Sequence, residues 1–116
     1  MIPQDEQFAE QIRQAGKEIK TAEEDLARAE AFEKQQMARL MIEAQVHGHK
    51  SAAAQTVYAD ATEAMFNARL ERGAKKGVLA AAKANLSAAE TKVRVWQTQM
   101  SIYKLENRTY GTDRRA

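Results

Sequence analysis

Cysteine is absent from this sequence, so neither a disulfide framework nor thiol chemistry is open to it. Proline occurs once, at Pro3, and glycine five times, so little in the chain interrupts a helix. Aromatic residues make up only 6% of the chain. Much of the 44% hydrophobic fraction is alanine, which buries little area. A thick globular core is disfavoured, and thin seams between long helices fit better. No apolar run approaches the roughly 18 residues that suggest a membrane span. The start, MIPQDEQFAEQ, has neither the basic residues nor the apolar run of a signal peptide. A cytoplasmic protein without membrane association is the expectation.

What fills the 116 residues is Ala, Glu, Lys, Arg and Gln. These side chains lose little rotamer freedom in a helix. β-branched residues are sparse and never run together over a strand length. The expected class is all-α, in a single domain. The net charge is only +2, but it is unevenly spread. Residues 1–46 carry ten acids and six bases, and residues 47–116 carry six acids and twelve bases. The halves attract, which favours an antiparallel hairpin or a head-to-tail dimer and leaves a basic face for an acidic partner.

Periodicity divides the chain. Pro3 suits a first helical turn, and Asp5 and Glu6 then lie near the positive end of the helix dipole. A 3-4 repeat runs Phe8, Ile12, Ala15, Ile19, Ala22, Leu26, Ala29. It slips at Glu33 and resumes at Met37, Leu40, Met41 and Ala44. This predicts a helix over about 4–46, roughly 65 Å long. VHGHKS follows, with Gly48 as the break and Ser51 as a favoured N-cap, so a turn is expected over about 47–51. From there a helix is expected to about 108, with a frayed tail over 109–116 marked by Asn107 and Gly111. Its repeat runs Leu79, Ala82, Leu86, Ala89, Val93, Trp96, Met100, Tyr103. Backwards it extends through Ala68, Met65, Ala61 and Tyr58 to Ala54, interrupted at Arg72 and Lys75. Gly73 and Gly77 allow a kink, a close helix crossing or a true turn there, and a continuous or kinked helix is expected. Large residues alternate with Ala along both repeats, which suits close antiparallel pairing with left-handed supercoiling.

The fold expected is thus a long antiparallel helical hairpin, coiled-coil-like, with Ala-rich seams. Folded at Gly48 to Lys50, it pairs Phe8 with Ala89, and helix 1 ends opposite Val93. Beyond it Trp96, Met100, Ile102, Tyr103 and Leu105 are expected to project uncovered. Three readings follow: a second copy covers the stripe, a different protein does, or the glycines bend residues 78–108 back into a three-helix bundle. The first is preferred, which predicts a homo-oligomer with Val93 to Leu105 at its interface.

Catalytic chemistry is not expected. Nothing arranges the Ser, Thr and His residues as nucleophile and base. His47 and His49 have neither a third His nor a Cys to complete a zinc site, and a solvated turn is the expectation for them. No cofactor or metal is expected. Arg69, Arg72, Lys75 and Lys76 form a basic cluster, of which Arg69, Arg72 and Lys76 share one helix face that Lys83 extends. It is read either as a solvated face pairing with the acidic first helix or as a contact for DNA phosphates. No aromatic residue interleaves with it, which weakens a base-stacking model. The tail adds Arg108, Arg114 and Arg115.

Within residues 68–106, Lys83, Leu86, Ala89 and Arg94 form a K-x-x-L-x-x-A-x-x-x-x-R run. It is followed by a polar step at Gln97, Gln99 and Ser101, and HGHKS lies upstream as a turn. This segment resembles the C-terminal half of small helical proteins of tailed bacteriophages, commonly encoded beside single-strand annealing proteins and exonucleases. The resemblance implies a non-enzymatic accessory of phage DNA recombination or replication in the host cytoplasm, acting by protein–protein or protein–DNA contact. The alternatives are an inhibitor that binds a host nuclease or defence complex, and a structural coiled-coil spacer.

Overall fold

The computed structural model describes residues 4–115, with side chains over 4–108. Pro3 and its place in a first turn lie outside the described residues, as do the side chains of Arg114 and Arg115. All regular structure among the described residues is helical: α1 over Gln4–Val46, α2 over Ala52–Asp60 and α3 over Glu63–Arg115. The chain is an all-α helical hairpin with coiled-coil-like packing, in which α1 and α3 are the arms. It divides into two compact units, Glu18–Ala82 on one side and Met1–Lys17 with Lys83–Ala116 on the other.

The larger unit holds the turn. α1 carries Asp5 and Glu6 in its first turn and ends at Val46. Gly48 then takes a φ of 92°, a left-handed conformation that glycine adopts without a Cβ clash. Its N–H donates to the Gln45 carbonyl, and the His49 N–H donates to the Ala44 carbonyl. Together these form a Schellman motif, which satisfies two carbonyls that the helix end would leave unpaired. Ser51 caps α2 as expected: its Oγ accepts from the Ala54 N–H at 3.1 Å. The Gln55 side chain is buried, and its Nε2 donates to the His49 carbonyl at 3.1 Å, tying the turn to α2.

The expected single helix from 51 to 108 is two helices. The break falls at Ala61 and Thr62, not at Gly73 and Gly77. Thr62 caps α3, its Oγ1 accepting from the Met65 N–H at 3.2 Å while donating to the Ala59 carbonyl at 2.7 Å. Glu63 follows in the first turn, where a negative charge suits the helix dipole. α3 runs unbroken through Gly73 and Gly77, so neither a kinked break nor the three-helix bundle occurs. Nothing lies within 4 Å of where a Cβ would stand at either glycine, so they mark no close crossing. Each costs about 1 kcal/mol against Ala, too little to end a helix of strong formers held along one side by α1. At the other end, Asn107 and Gly111 permit a stop but do not force one, and α3 continues to Arg115.

The packed rows follow the periodicity along α1 and α3 but not around α2, where Ala61 is exposed and Ala59, off the repeat, is buried. In the larger unit, Ala22, Ala29, Leu40 and Ala44 of α1 are buried, as are Met65, Ala68 and Ala82 of α3. Leu40, Ala59 and Met65 form its apolar centre, with Met37, Met41 and Ala64 packed around them. α2 therefore contributes to the core through Ala59. In the smaller unit Ala15 and Ala89 are buried, and Phe8 packs on Trp96 with ring centroids 5.5 Å apart.

That contact corrects the register. Phe8 meets Trp96, seven positions past the expected Ala89. One heptad is taken up because the chain does not reverse within the Gly48 turn alone. It first makes α2, and α3 begins only at Glu63. A shift of one heptad keeps every packed residue on the same face, so the repeat cannot detect it.

Replacing Thr62 by Ala removes the cap of α3 and should lower stability by about 1 kcal/mol. Urea denaturation followed by circular dichroism checks this, and the slope of the transition should not change.

Candidate functional site

The basic cluster is the first candidate, and α1 supplies what faces it. Glu33 sits on the packed row of α1 with its side chain only 15% exposed. Opposite it on α3 is Arg72, with Nη1 3.0 Å from Glu33 Oε2. Arg69, one turn earlier, places Nε 3.6 Å from Glu33 Oε1 and donates from Nη2 to Asp60 of α2. The carboxylate thus holds two guanidiniums while α2 supplies a second acid for one of them. The hydrogen bond that Arg69 donates to Asp60 raises the Arg69 pKa above its ordinary value, against a smaller opposing effect of burial.

Glu33 is where the first 3-4 repeat slips, and Arg72 is the first of the two interruptions, with Lys75, of the second. In the fold Glu33 and Arg72 meet in one polar layer, so each charge meets its opposite instead of an apolar face. Glu33, Met37, Met65, Arg69 and Arg72 line an open cleft of about 260 Å³. Lys75 is half-buried and pairs with Glu71 one turn back at 3.6 Å. Lys76 and Lys83 are exposed and form no ion pair among the described residues. Of the five cations considered for phosphate contact, three are thus engaged within the chain.

The second candidate is the stretch around Trp96, in the smaller unit. Here the expected geometry is overturned. Trp96 and Val93 are half-buried, and Phe8 covers the indole. The uncovered part of the row starts one heptad later. Met100 is 37% exposed and Tyr103 58% exposed, both on the continuation of the row that packs against α1. Ile102 and Leu105 are exposed too, but they lie on the other side of the helix from that row. The six residues from Val93 to Leu105 therefore do not form one surface.

The histidine turn is the third. His47 is exposed, but His49 is half-buried, which departs from a simple solvated turn. Tyr58 of α2 lies against both rings, with centroids 5.9 Å from His47 and 5.2 Å from His49. Its hydroxyl donates to Glu43 at 3.4 Å. Burial pushes the Tyr58 phenol above its usual pKa, and the Glu43 charge adds to this. An open, mostly apolar groove of about 600 Å³ runs along α2 between His49 and Thr62. Sequence reasoning missed Gln55, Tyr58 and Asp60 as partners, because each acts across the turn and none breaks a repeat. Among the described residues no group of three or more acids and histidines is placed to hold a metal ion. None of the described helices is long and apolar enough to cross a membrane. No protein-family profile, curated protein or solved structure matches the chain.

The polar layer predicts non-additive mutations. Glu33→Leu alone leaves two guanidiniums facing an apolar group and should lower stability by about 1–2 kcal/mol. Adding Arg72→Met should restore much of that loss. A urea double-mutant cycle measures the coupling, and additive losses would show the layer to be merely solvated charge.

Proposed function

We propose that this chain is a non-enzymatic accessory of phage DNA recombination or replication that acts through protein–protein contact. The phage setting rests on the resemblance of residues 68–106. The mode of action is supported by one observation in particular: the packed row of α3 continues past its covered part as exposed Met100 and Tyr103. Exposed apolar residues in line with a helix–helix seam are the kind of surface that an amphipathic partner helix covers.

A direct DNA contact is the weaker half of the proposal. Arg69 and Arg72 are bound to Glu33, and Arg69 to Asp60 as well. Moving them onto phosphates would break the polar layer. That leaves Lys76 and Lys83, and two phosphate contacts give only weak, salt-sensitive affinity.

The test is a mixture of the purified chain with a phage single-strand annealing protein or its companion exonuclease. A complex should sediment at about 20 μM of each, and Met100→Ser with Tyr103→Ser should weaken it roughly tenfold, the scale of losing two apolar anchors. Replacing Lys76 and Lys83 by Glu should leave it intact. Absence of any complex removes the reading. Tight oligonucleotide binding abolished by the two lysine changes turns it towards DNA.

A further inference from the structure

We propose that a second copy of the chain packs antiparallel against the later part of α3, about a two-fold axis at Gln99. This rests on the protein-contact reading only in treating the apolar end of α3 as a contact surface. All the residues involved belong to the smaller unit. Lys92, Gln99 and Glu106 lie seven apart, so they follow one line along α3. Trp96 and Tyr103 flank that line on one side, Val95 and Ile102 on the other. Val95, Ile102 and Tyr103 are each more than half exposed, and Trp96 is half-buried. Along the line opens a groove of about 330 Å³, whose lining includes Phe8, Lys92, Val95, Trp96 and Gln99. Exposed apolar side chains thus border an open groove within one unit.

The charges select a second copy as the occupant. This face carries two of opposite sign, Lys92 one heptad before Gln99 and Glu106 one heptad after it. They lie about 21 Å apart on one helix, too far to pair within the chain. In an antiparallel pair centred on Gln99, Lys92 faces Glu106 of the second copy, and Glu106 faces Lys92 of the second copy. A single axis therefore matches both charges at once. A different partner would have to supply an acid and a base at this spacing. The chain already carries both.

The apolar residues agree with that register. Val95 meets Ile102 of the second copy on one side of the line, and Trp96 meets Tyr103 of the second copy on the other. An antiparallel two-fold pair brings each side of one helix to the same side of the other, as these contacts require. Ile102 and Tyr103 lie past the groove of their own chain, and they enter the groove of the second copy. The Gln99 amide meets its own copy on the axis, a polar pair that hydrogen-bonds and fixes the register. Sliding by one heptad sets Gln99 against Lys92 or Glu106 and loses both ion pairs. The contact covers about 21 Å of α3 on each copy, at the small, transient end of specific interfaces. The expected dissociation constant is on the order of 10–100 μM.

Sedimentation velocity should give the mass of one 13.0 kDa chain at about 5 μM and chiefly that of two at about 500 μM. Over the same range the emission of Trp96, the one Trp of the chain, should move to shorter wavelength as Tyr103 of the second copy covers it. Lys92→Glu or Glu106→Lys alone sets like charges together and should weaken the dimer about tenfold, with unchanged far-ultraviolet circular dichroism. An equimolar mixture of the two variants should dimerise as the wild type does, because each chain then meets opposite charge at both ends. Rescue between separate chains cannot arise within one molecule. A wild type that stays monomeric at about 500 μM overturns the proposal. A dimer indifferent to either change, or a mixture that shows no rescue, overturns the two-fold contact at Gln99. These variants leave Met100 and Tyr103 in place and use the isolated chain, so their failure is separate from failure to bind an annealing protein.

Discussion

A carboxylate in an apolar row has to find positive charge, and Glu33 finds two guanidiniums. It is the charged residue in the row Ala22, Leu26, Ala29, Glu33, Met37, Leu40. Left against an apolar face it would be desolvated without a partner, at a cost no neighbouring contact could offset. Only a register that puts Arg72 opposite it, with Arg69 alongside, satisfies the group. Alanines and leucines elsewhere in the row would tolerate sliding by a heptad, because small still meets small and large meets large. The polar layer is what makes one alignment preferable.

That alignment in turn requires the α2 turn. The Schellman motif at Gly48 ends α1, Ser51 starts α2, and Thr62 starts α3. Each junction satisfies backbone groups that would otherwise be orphaned. Asp60, at the end of α2, then reaches Arg69, so the element that displaces the register also supports the layer that specifies it. Gln55 and Tyr58 hold the same turn from inside, one through the His49 carbonyl and the other against both imidazoles.

The consequence for function is a redistribution of surface. Cations that look available for phosphate in the linear sequence are partly committed to the fold. The indole that looks exposed is covered by Phe8, and the apolar surface that remains lies elsewhere: at Met100 and Tyr103, and along the outer face of α3. Neither resembles a cavity for a small molecule, since the clefts in the two units are open.

Much of the fold was legible in the chain alone. Composition and periodicity set the helical class, the bounds of α1, the Gly48 turn, the Ser51 cap and both packed rows, because each depends on residues within one or two helical turns. The Thr62 cap was written there too, in Thr followed by Glu, but the continuing 3-4 spacing through Tyr58, Ala61 and Met65 masked it. The register was not legible, since a heptad repeat is unchanged by a shift of seven. Nor was the pairing of Glu33 with Arg72, or the cover over Trp96, since both join residues far apart in the chain. Local sequence determined which residues face inward. Only tertiary packing decided which inward face each would meet, because that choice turns on one long-range polar contact.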